Sequence, residues 1–231
     1  MRPVSLASTR RSEARRIIDT DTPPAARPAD GHDILGTYRC AADPTSRKAT
    51  SEDPAELIDH MTTRHREIMR GRPDKRPGAW KTENNRVGLY DFVAPDLLEG
   101  TLLKGFGRLA ELPEGIARAL YAMIVVTEVH PFEDGNGRVA RLMMNAELSA
   151  VGAARIVIPS VYRNEYLAGL RRVSITDGDL TAYLRVMIHA WRWTAAMPWN
   201  DATAADGRFI ATKALMDSTD AEISGARLEL P

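Results

Sequence analysis

Residues 130–141 read HPFEDGNGRVAR. This motif combines a titratable base, a carboxylate, an amide between two glycines, and two guanidinium groups. Gly135 and Gly137 tolerate a positive φ, so the backbone around them can turn sharply and direct several N–H groups at one anion. The motif therefore predicts an anion site with a base beside it.

A helix is predicted directly after the glycines. Apolar residues recur there at helical spacing, namely Val139, Leu142, Met143 and Ala146. Arg138 and Arg141 share a different face, close to the helix N-terminus. Because a helix N-terminus carries about half a positive charge and unpaired N–H groups, the loop, the helix and the arginines together predict a phosphate site.

Two helices are predicted upstream of the motif. Residues 112–127 form a largely apolar pattern typical of a buried helix, and this helix would deliver His130. Further upstream, Asp53 and Pro54 are typical of a helix start. His60 and His65 on that helix are five residues apart, which is not the spacing of a metal pair, so both are expected to be ordinary surface histidines.

The composition excludes several classes of protein. The chain has 231 residues and 44% hydrophobic content, which suits one globular domain with extensions. Lys plus Arg and Asp plus Glu each number 31, so no global field attracts nucleic acid or a membrane. No apolar run is long enough to span a membrane, and a cytoplasmic protein is expected. The single Cys40 excludes an internal disulfide.

The chain is predicted to be mostly α, with a boundary near residue 48. Residues 1–48 are rich in Arg, Ser, Ala and Pro without sustained periodicity, which predicts a disordered tail apart from a short helix near 12–18. Residues 49–231 are predicted to fold, with an N-terminal helix and a C-terminal helical extension that includes helices near 162–173, 180–193 and 207–218. Residues 80–92 predict a small hairpin that turns at Glu83-Asn84-Asn85.

The motif matches the Fic signature, H-x-F-x-[D/E]-G-N-G-R-x-x-R, at every specified position. The chain accordingly resembles the Fic family of the Fic/Doc superfamily, over about residues 50–231. Residues 80–88 and 92–95 look like the flap of Fic proteins, and residues 155–167 resemble the turn and helix after the motif. The resemblance implies a Fic domain over 49–231, a helical bundle with a small β-hairpin flap over the active site.

The resemblance also implies an activity, that of a protein adenylyltransferase. Such an enzyme transfers AMP from ATP to a Ser, Thr or Tyr hydroxyl of a target protein, a reaction called AMPylation. His130 would take the hydroxyl proton, and Asp134 would bind Mg²⁺. The implied phosphate contacts are Gly135, Asn136 and Gly137 at the α-phosphate, Arg138 at the outer phosphates and Arg141 at the γ-phosphate.

Two further contacts are implied less directly. Tyr166 stands where family members place an aromatic side chain near the adenine, although an ordinary half-buried helix tyrosine is an equal alternative. Trp80, Lys81 and Thr82 would form the flap that holds the target segment by strand addition. A plain surface hairpin anchored by Trp80 is the alternative for this segment.

Other activities remain open from the sequence. Another Fic-type transfer would move UMP, GMP or phosphate, or remove AMP; Doc-like phosphate-transferring members usually have Lys where Gly137 stands. A non-catalytic nucleotide-binding regulator is a second alternative, although binding alone would not require His130. Many Fic proteins carry an inhibitory [S/T]-x-x-x-E-[G/N] helix, and residues 218–222 only approach it because Ile223 follows. A separate inhibitory antitoxin is therefore expected to supply a glutamate to Arg141.

Overall fold

The computed structural model describes residues 6–176 and 178–230, with side chains from residue 11 onward. The chain divides into two compact units, Glu13–Ala153 and a second unit of Ala154–Pro231 with Met1–Ser12. The division therefore follows the motif helix and does not fall near residue 48. Both units are mostly helical, which confirms the predicted fold class. Among the described residues, no helix is long and apolar enough to cross a membrane.

The first unit contains the motif and the elements that support it. Its helices are α1 (Leu6–Thr20, which begins in the second unit), α2 (Pro28–Ala42), α3 (Pro54–Ile68), α4 (Leu98–Gly107), α5 (Ile116–Val129) and α6 (Asn136–Ala150). Strands β1 (Arg86–Val87) and β2 (Tyr90–Asp91) pair antiparallel, with Val87 opposite Tyr90.

Helices α5 and α6 form the centre of this unit, joined by the motif loop, residues 130–135. Their facing sides are apolar and buried, with Met123 and Val126 on α5 and Met143 on α6. A buried ion pair also joins them, because Arg118 Nε donates to Glu147 Oε2 at 3.0 Å. The motif loop is thus held at both ends by one packed helix pair.

The predicted disordered tail is wrong for residues 6–42, most of which are helical in α1 and α2; residues 1–5 lie outside the described residues. Helix α2 packs on α3 through a glycine. A Cβ placed on Gly36 would lie 2.4 Å from the Glu67 carbonyl oxygen, so only glycine allows this approach. Because the buried face of α2 contains glycines beside Leu35 and Cys40, it shows no apolar periodicity in the sequence.

The hairpin lies within the predicted residues, but its turn is displaced. The two-residue connection is Gly88-Leu89, where Gly88 has φ 61°, rather than Glu83-Asn84-Asn85. Asn85 instead anchors the segment, since its Nδ2 donates to the Phe132 carbonyl oxygen at 2.9 Å. An asparagine used for tertiary contact is thus easily mistaken for a turn residue.

The second unit consists of helices packed around Trp193. Its helices are α7 (Arg163–Ile175), α8 (Thr181–Ala195), α9 (Ala202–Ala211) and α10 (Ser218–Ser224). Trp193 is fully buried and its Nε1 donates to Thr212 Oγ1 at 3.0 Å. The predicted helices near 162–173 and 180–193 are confirmed, whereas residues 207–218 are wrong as one helix, since α9 ends at Ala211 and α10 begins at Ser218.

Candidate active site

His130 directly follows α5 in a left-handed conformation, with φ 52° and ψ 58°. Its N–H still donates to the Val126 carbonyl oxygen at 3.0 Å, so the end of the helix fixes its backbone. The ring Nδ1 lies 3.3 Å from the Thr127 carbonyl oxygen. Because a carbonyl oxygen can only accept, Nδ1 carries the proton and Nε2 keeps its lone pair. Nε2 is therefore the atom that can act as a base.

Two neighbours define the environment of the His130 ring. Phe92, just after β2, stacks on it with ring centroids 3.9 Å apart and planes 16° apart. Burial lowers the pKa of His130 to about 4, with a smaller contribution in the same direction from the Lys81 ammonium. The imidazole is therefore neutral near pH 7, as a proton acceptor must be.

The Asn136 side chain is engaged within the motif loop. Its side chain is buried, its Oδ1 accepts from the Phe132 N–H at 2.9 Å, and its Nδ2 donates to the Phe132 carbonyl oxygen at 2.8 Å. Both ends of the amide thus close the motif loop on itself. The Asn136 side chain therefore shapes the loop, and main-chain N–H groups are the candidates for binding an anion.

The main chain at the start of α6 offers candidate donors for an anion. Gly135 has φ 80°, a conformation that favours glycine. Its N–H is already bound by Asp134 Oδ1 at 2.6 Å. The N–H groups of Asn136 and Gly137 belong to the first turn and have no acceptor among the described residues. These two donors are the ones available to an anion.

Asp134 is held by two arginines. Arg138 Nη2 lies 3.2 Å from its Oδ1, and Arg72 Nη1 lies 2.7 Å from its Oδ2. Burial alone would raise the pKa of Asp134, but the Gly135 N–H and these two cations outweigh it and hold the pKa below its usual value. The carboxylate is therefore ionised and suited to a hard cation such as Mg²⁺.

Arg141 differs from Arg138 in its surroundings. Arg138 also pairs with Asp33 of α2, whereas no carboxylate within the described residues of Glu13–Ala153 lies within 4.0 Å of Arg141. A Cβ on Gly137 would lie 3.5 Å from Arg141 Nη1, which places the Arg141 guanidinium beside the first turn of α6. Arg141 therefore offers an unneutralised charge next to the two available N–H groups.

His65 is a supporting residue that the sequence reasoning missed. The expectation of a surface histidine is wrong, because His65 is fully buried and stacks on Phe132 with centroids 3.7 Å apart. Its Nδ1 accepts from the Gly78 N–H at 2.9 Å, and its Nε2 donates to the Asp134 carbonyl oxygen at 3.1 Å. The sequence does carry a signal for this burial: Leu57, Met61 and His65 follow one another at four-residue intervals and so share the buried face of α3.

The predicted flap residues are placed differently from one another. Lys81 is buried, its N–H donates to the Pro131 carbonyl oxygen at 2.9 Å, and its Nζ donates to Asn85 Oδ1 at 2.6 Å. Trp80 is half-buried against Phe132, with ring centroids 5.5 Å apart. Thr82 is exposed. Of the three, only Thr82 presents itself to solvent, and Lys81 instead fastens the flap to the motif loop.

An open cavity of about 600 Å³ adjoins this flap. Its lining includes Ile58 and Thr62 of α3 together with Trp80 and Thr82. Neither His130 nor Asp134 lines it, so this cavity is separate from the place where the motif would bind an anion.

The other predicted residues belong to the second unit. Tyr166 is buried on α7, and the segment resembling an inhibitory motif forms α10, where Glu222 is exposed. No group of three or more His, Cys, Asp or Glu side chains able to hold a metal ion is found among the described residues. If Asp134 bound Mg²⁺, as the resemblance implies, most of the remaining ligands would have to come from phosphate and water.

Comparisons with known proteins agree with this geometry. The Fic/DOC family model matches residues 56–148. The protein adenylyltransferase fic-1 of Caenorhabditis briggsae is 32% identical over 134 residues, which cover 55% of this chain and 26% of that protein. The protein adenylyltransferase Fic of Drosophila persimilis is 37% identical over 67 residues, covering 29% of this chain and 13% of that protein. The chain thus spans about a quarter of the nematode relative's length.

Solved structures share the fold. Fic-1 (aa134–508) from C. elegans superposes with a TM-score of 0.61 at 21% identity, covering 82% of this chain and 56% of that chain. A Fic family protein from Desulfovibrio desulfuricans G20 gives a TM-score of 0.62 at 18% identity, covering 94% and 69%. The motif loop and both of its supporting helices lie almost entirely inside the matched range, and residues 56–148 therefore form a Fic/DOC family domain.

Proposed function

We propose that this chain is a protein adenylyltransferase that transfers AMP from ATP to a hydroxyl group of a target protein. The observation that carries the proposal is the protonation state of His130. Its Nδ1 proton is committed to the Thr127 carbonyl oxygen, so Nε2 is unprotonated near pH 7 and stands ready as a base. A site that only bound nucleotide would not need this group.

The proposed step requires one proton acceptor and a fixed phosphate. The target hydroxyl gives its proton to His130 Nε2 as its oxygen bonds to the α-phosphorus. The bond between the α-phosphorus and the bridging oxygen breaks, and pyrophosphate leaves with that electron pair. In this step the N–H groups of Asn136 and Gly137 and the guanidinium of Arg141 would stabilise the phosphate charge.

Asp134 is the residue we propose for Mg²⁺. Its carboxylate is ionised and partly exposed, with 39% of the side chain accessible, so the donor fits a hard cation. When bound, the ion would neutralise charge on the departing phosphates. The chain's own contribution is to hold this carboxylate next to Arg138.

We propose that the target segment docks along the flap beyond Lys81. The Lys81 N–H is already bound to Pro131, so added main-chain pairing would start at Thr82. Leu89 at the hairpin tip is 98% exposed and would contact an apolar side chain of the target. The relatives named as protein adenylyltransferases support a protein as the acceptor.

The test uses purified protein with Mg²⁺ and ATP labelled on either the α- or the γ-phosphate, in the presence of host lysate. We expect protein-bound label only from the α-position, and none with His130→Ala. Label from the γ-position would identify phosphate transfer instead. ATP binding without label from either position in any fraction would favour a nucleotide-binding regulator and would overturn the proposal.

Regulation by a separate cytoplasmic inhibitor is part of the same proposal. The absence of a carboxylate partner for Arg141 within the described residues of its unit supports an acidic side chain supplied by another protein, as in a toxin–antitoxin pair. We expect a neighbour-encoded acidic protein to suppress labelling when it is co-expressed, and to co-purify with the wild-type chain but not with Arg141→Ala. Labelling that is insensitive to every such neighbour would contradict it.

A further inference from the structure

Arg72 lies in the connector after α3, outside the motif, and its side chain contacts the motif residue Asp134. Its Nη1 lies 2.7 Å from Asp134 Oδ2 and 3.3 Å from Asp33 Oδ2. Arg138 binds the same two carboxylates, Asp134 through Nη2 at 3.2 Å and Asp33 through Nη1. Two guanidiniums from separate elements therefore converge on one pair of acids.

The charges of this four-residue cluster balance only while both acids remain. The guanidinium side chains are 21% and 22% exposed, so solvent screens their mutual repulsion incompletely. If Asp134 turns to a metal ion, as proposed above, the two arginines are left with the single charge of Asp33. A polyphosphate, with several negative oxygens, is the kind of group that restores the balance.

Asp33 is itself only half satisfied. Its Oδ2 accepts from both arginines, while its buried Oδ1 has no hydrogen-bond partner in the part of the chain that the structure describes. A buried oxygen without a donor costs free energy, so this carboxylate is an incomplete partner for two guanidiniums. Phosphate offers three acceptor oxygens, and a guanidinium group can bind two of them at once through two parallel N–H groups.

We infer that Arg72 is a second phosphate-binding guanidinium, which contacts the outer phosphates of the bound nucleotide beside Arg138. The inference rests on the proposed nucleotide-binding function and extends it to a residue outside the motif. The competing explanation is that Arg72 only positions Asp134. In that case its effect on nucleotide would pass entirely through the Asp134 carboxylate.

A double-mutant cycle separates the two explanations. Binding of ATP, ADP and AMP to the full chain would be measured by calorimetry in EDTA, for wild type, Arg72→Gln, Asp134→Asn and the double variant. We expect Arg72→Gln to weaken ATP by about 10- to 100-fold, the size of one charge-assisted contact, and AMP by less than threefold. The same loss of ATP affinity should persist in the Asp134→Asn background.

The matched control is Arg70→Gln, two residues away. The Arg70 side chain is 69% exposed and pairs with Glu67 and with no other acid among the described residues, so the ATP affinity of Arg70→Gln should equal that of wild type. Arg72→Lys should recover part of the affinity because it keeps the charge and loses the fork.

Three results would overturn the inference. One is an Arg72→Gln loss that vanishes in Asp134→Asn, since Arg72 would then act only through the acid. Another is equal weakening of ATP and AMP, which indicates a general distortion of the site. The third is no change at all in Arg72→Gln while wild type binds ATP. If wild type binds no nucleotide, the proposed function itself fails, and this outcome is distinct because it does not depend on Arg72.

Discussion

Replacing His65 with Phe tests whether this buried histidine holds the motif loop. The phenyl ring keeps the contact with Phe132 but can neither accept from the Gly78 N–H nor donate to the Asp134 carbonyl oxygen. A buried polar group left without a partner costs about 1–3 kcal/mol. Because both groups are only partly buried, we expect the lower half of that range for each, so the two together should cost about 2–3 kcal/mol in unfolding free energy at pH 7.5.

The pH dependence makes this prediction sharper. Burial lowers the pKa of His65 to about 4. The unfolded chain binds a proton at His65 near pH 6.5 and the folded chain does not, so wild-type stability falls as the pH drops from 6.5 towards 4. At pH 5 the cost for this residue is about 2 kcal/mol, at about 1.4 kcal/mol per pH unit. His65→Phe removes that cost, so its deficit should nearly disappear at pH 5.

Urea unfolding followed by circular dichroism at pH 7.5, 6.0 and 5.0 measures both effects. His60→Phe is the control on the same helix, since His60 is half-buried and has no hydrogen bond recorded among the described residues. That control should change stability by less than about 1 kcal/mol. A His65→Phe deficit that is the same at all three pH values would refute the reasoning that His65 is held neutral by burial.

Three other substitutions test the supports of the site. Gly135→Ala places a Cβ on a residue with positive φ, which costs about 1–2 kcal/mol, and should also abolish ATP binding. Gly152→Ala is the control, because Gly152 also has a positive φ but its Cβ would lie in open space. This control should lower thermal stability and retain ATP binding. Lys81→Met removes a nearby cation and should raise the pKa of His130 in an NMR titration, and an unchanged or lower pKa would contradict this. Glu147→Gln removes the buried carboxylate partner of Arg118 and leaves it only the exposed Glu52 at 4.0 Å, so it should cost about 3–5 kcal/mol in urea unfolding. A loss below about 1 kcal/mol would argue against the buried pair.

The motif region could be predicted because its signals are local. Gly135, the helix from Asn136 and the base at His130 are specified by adjacent residues, and α5 and α6 are recognisable from their apolar periodicity. The network that orients them comes from distant segments. Arg72 pairs with Asp134, 62 positions later in the sequence, and Asp33 pairs with Arg138, about 100 positions later. No local sequence pattern predicts contacts over such separations.

Other misses have specific physical reasons. Helix α2 buries glycine against α3, and glycine is not counted as apolar in a periodicity argument. Asparagine favours turns, so the sequence predicts a turn that includes Asn85. In the structure the Asn85 side-chain amide donates to the Phe132 carbonyl oxygen instead. The role of His65 depends on two main-chain partners, Gly78 and Asp134, that only the folded chain brings together.

The Phe132 carbonyl oxygen accepts from two amides, Asn136 at the start of α6 and Asn85 of the flap segment. The hairpin segment and the motif loop therefore share one hydrogen-bond acceptor. A displacement of either one changes the hydrogen bond made by the other. By thermodynamic linkage, a target that shifts the hairpin and a nucleotide that shifts the loop alter each other's affinity by the same factor. The free energy of the complex with both target and nucleotide therefore does not depend on which of the two binds first. The ligand that binds first changes the affinity of the chain for the second.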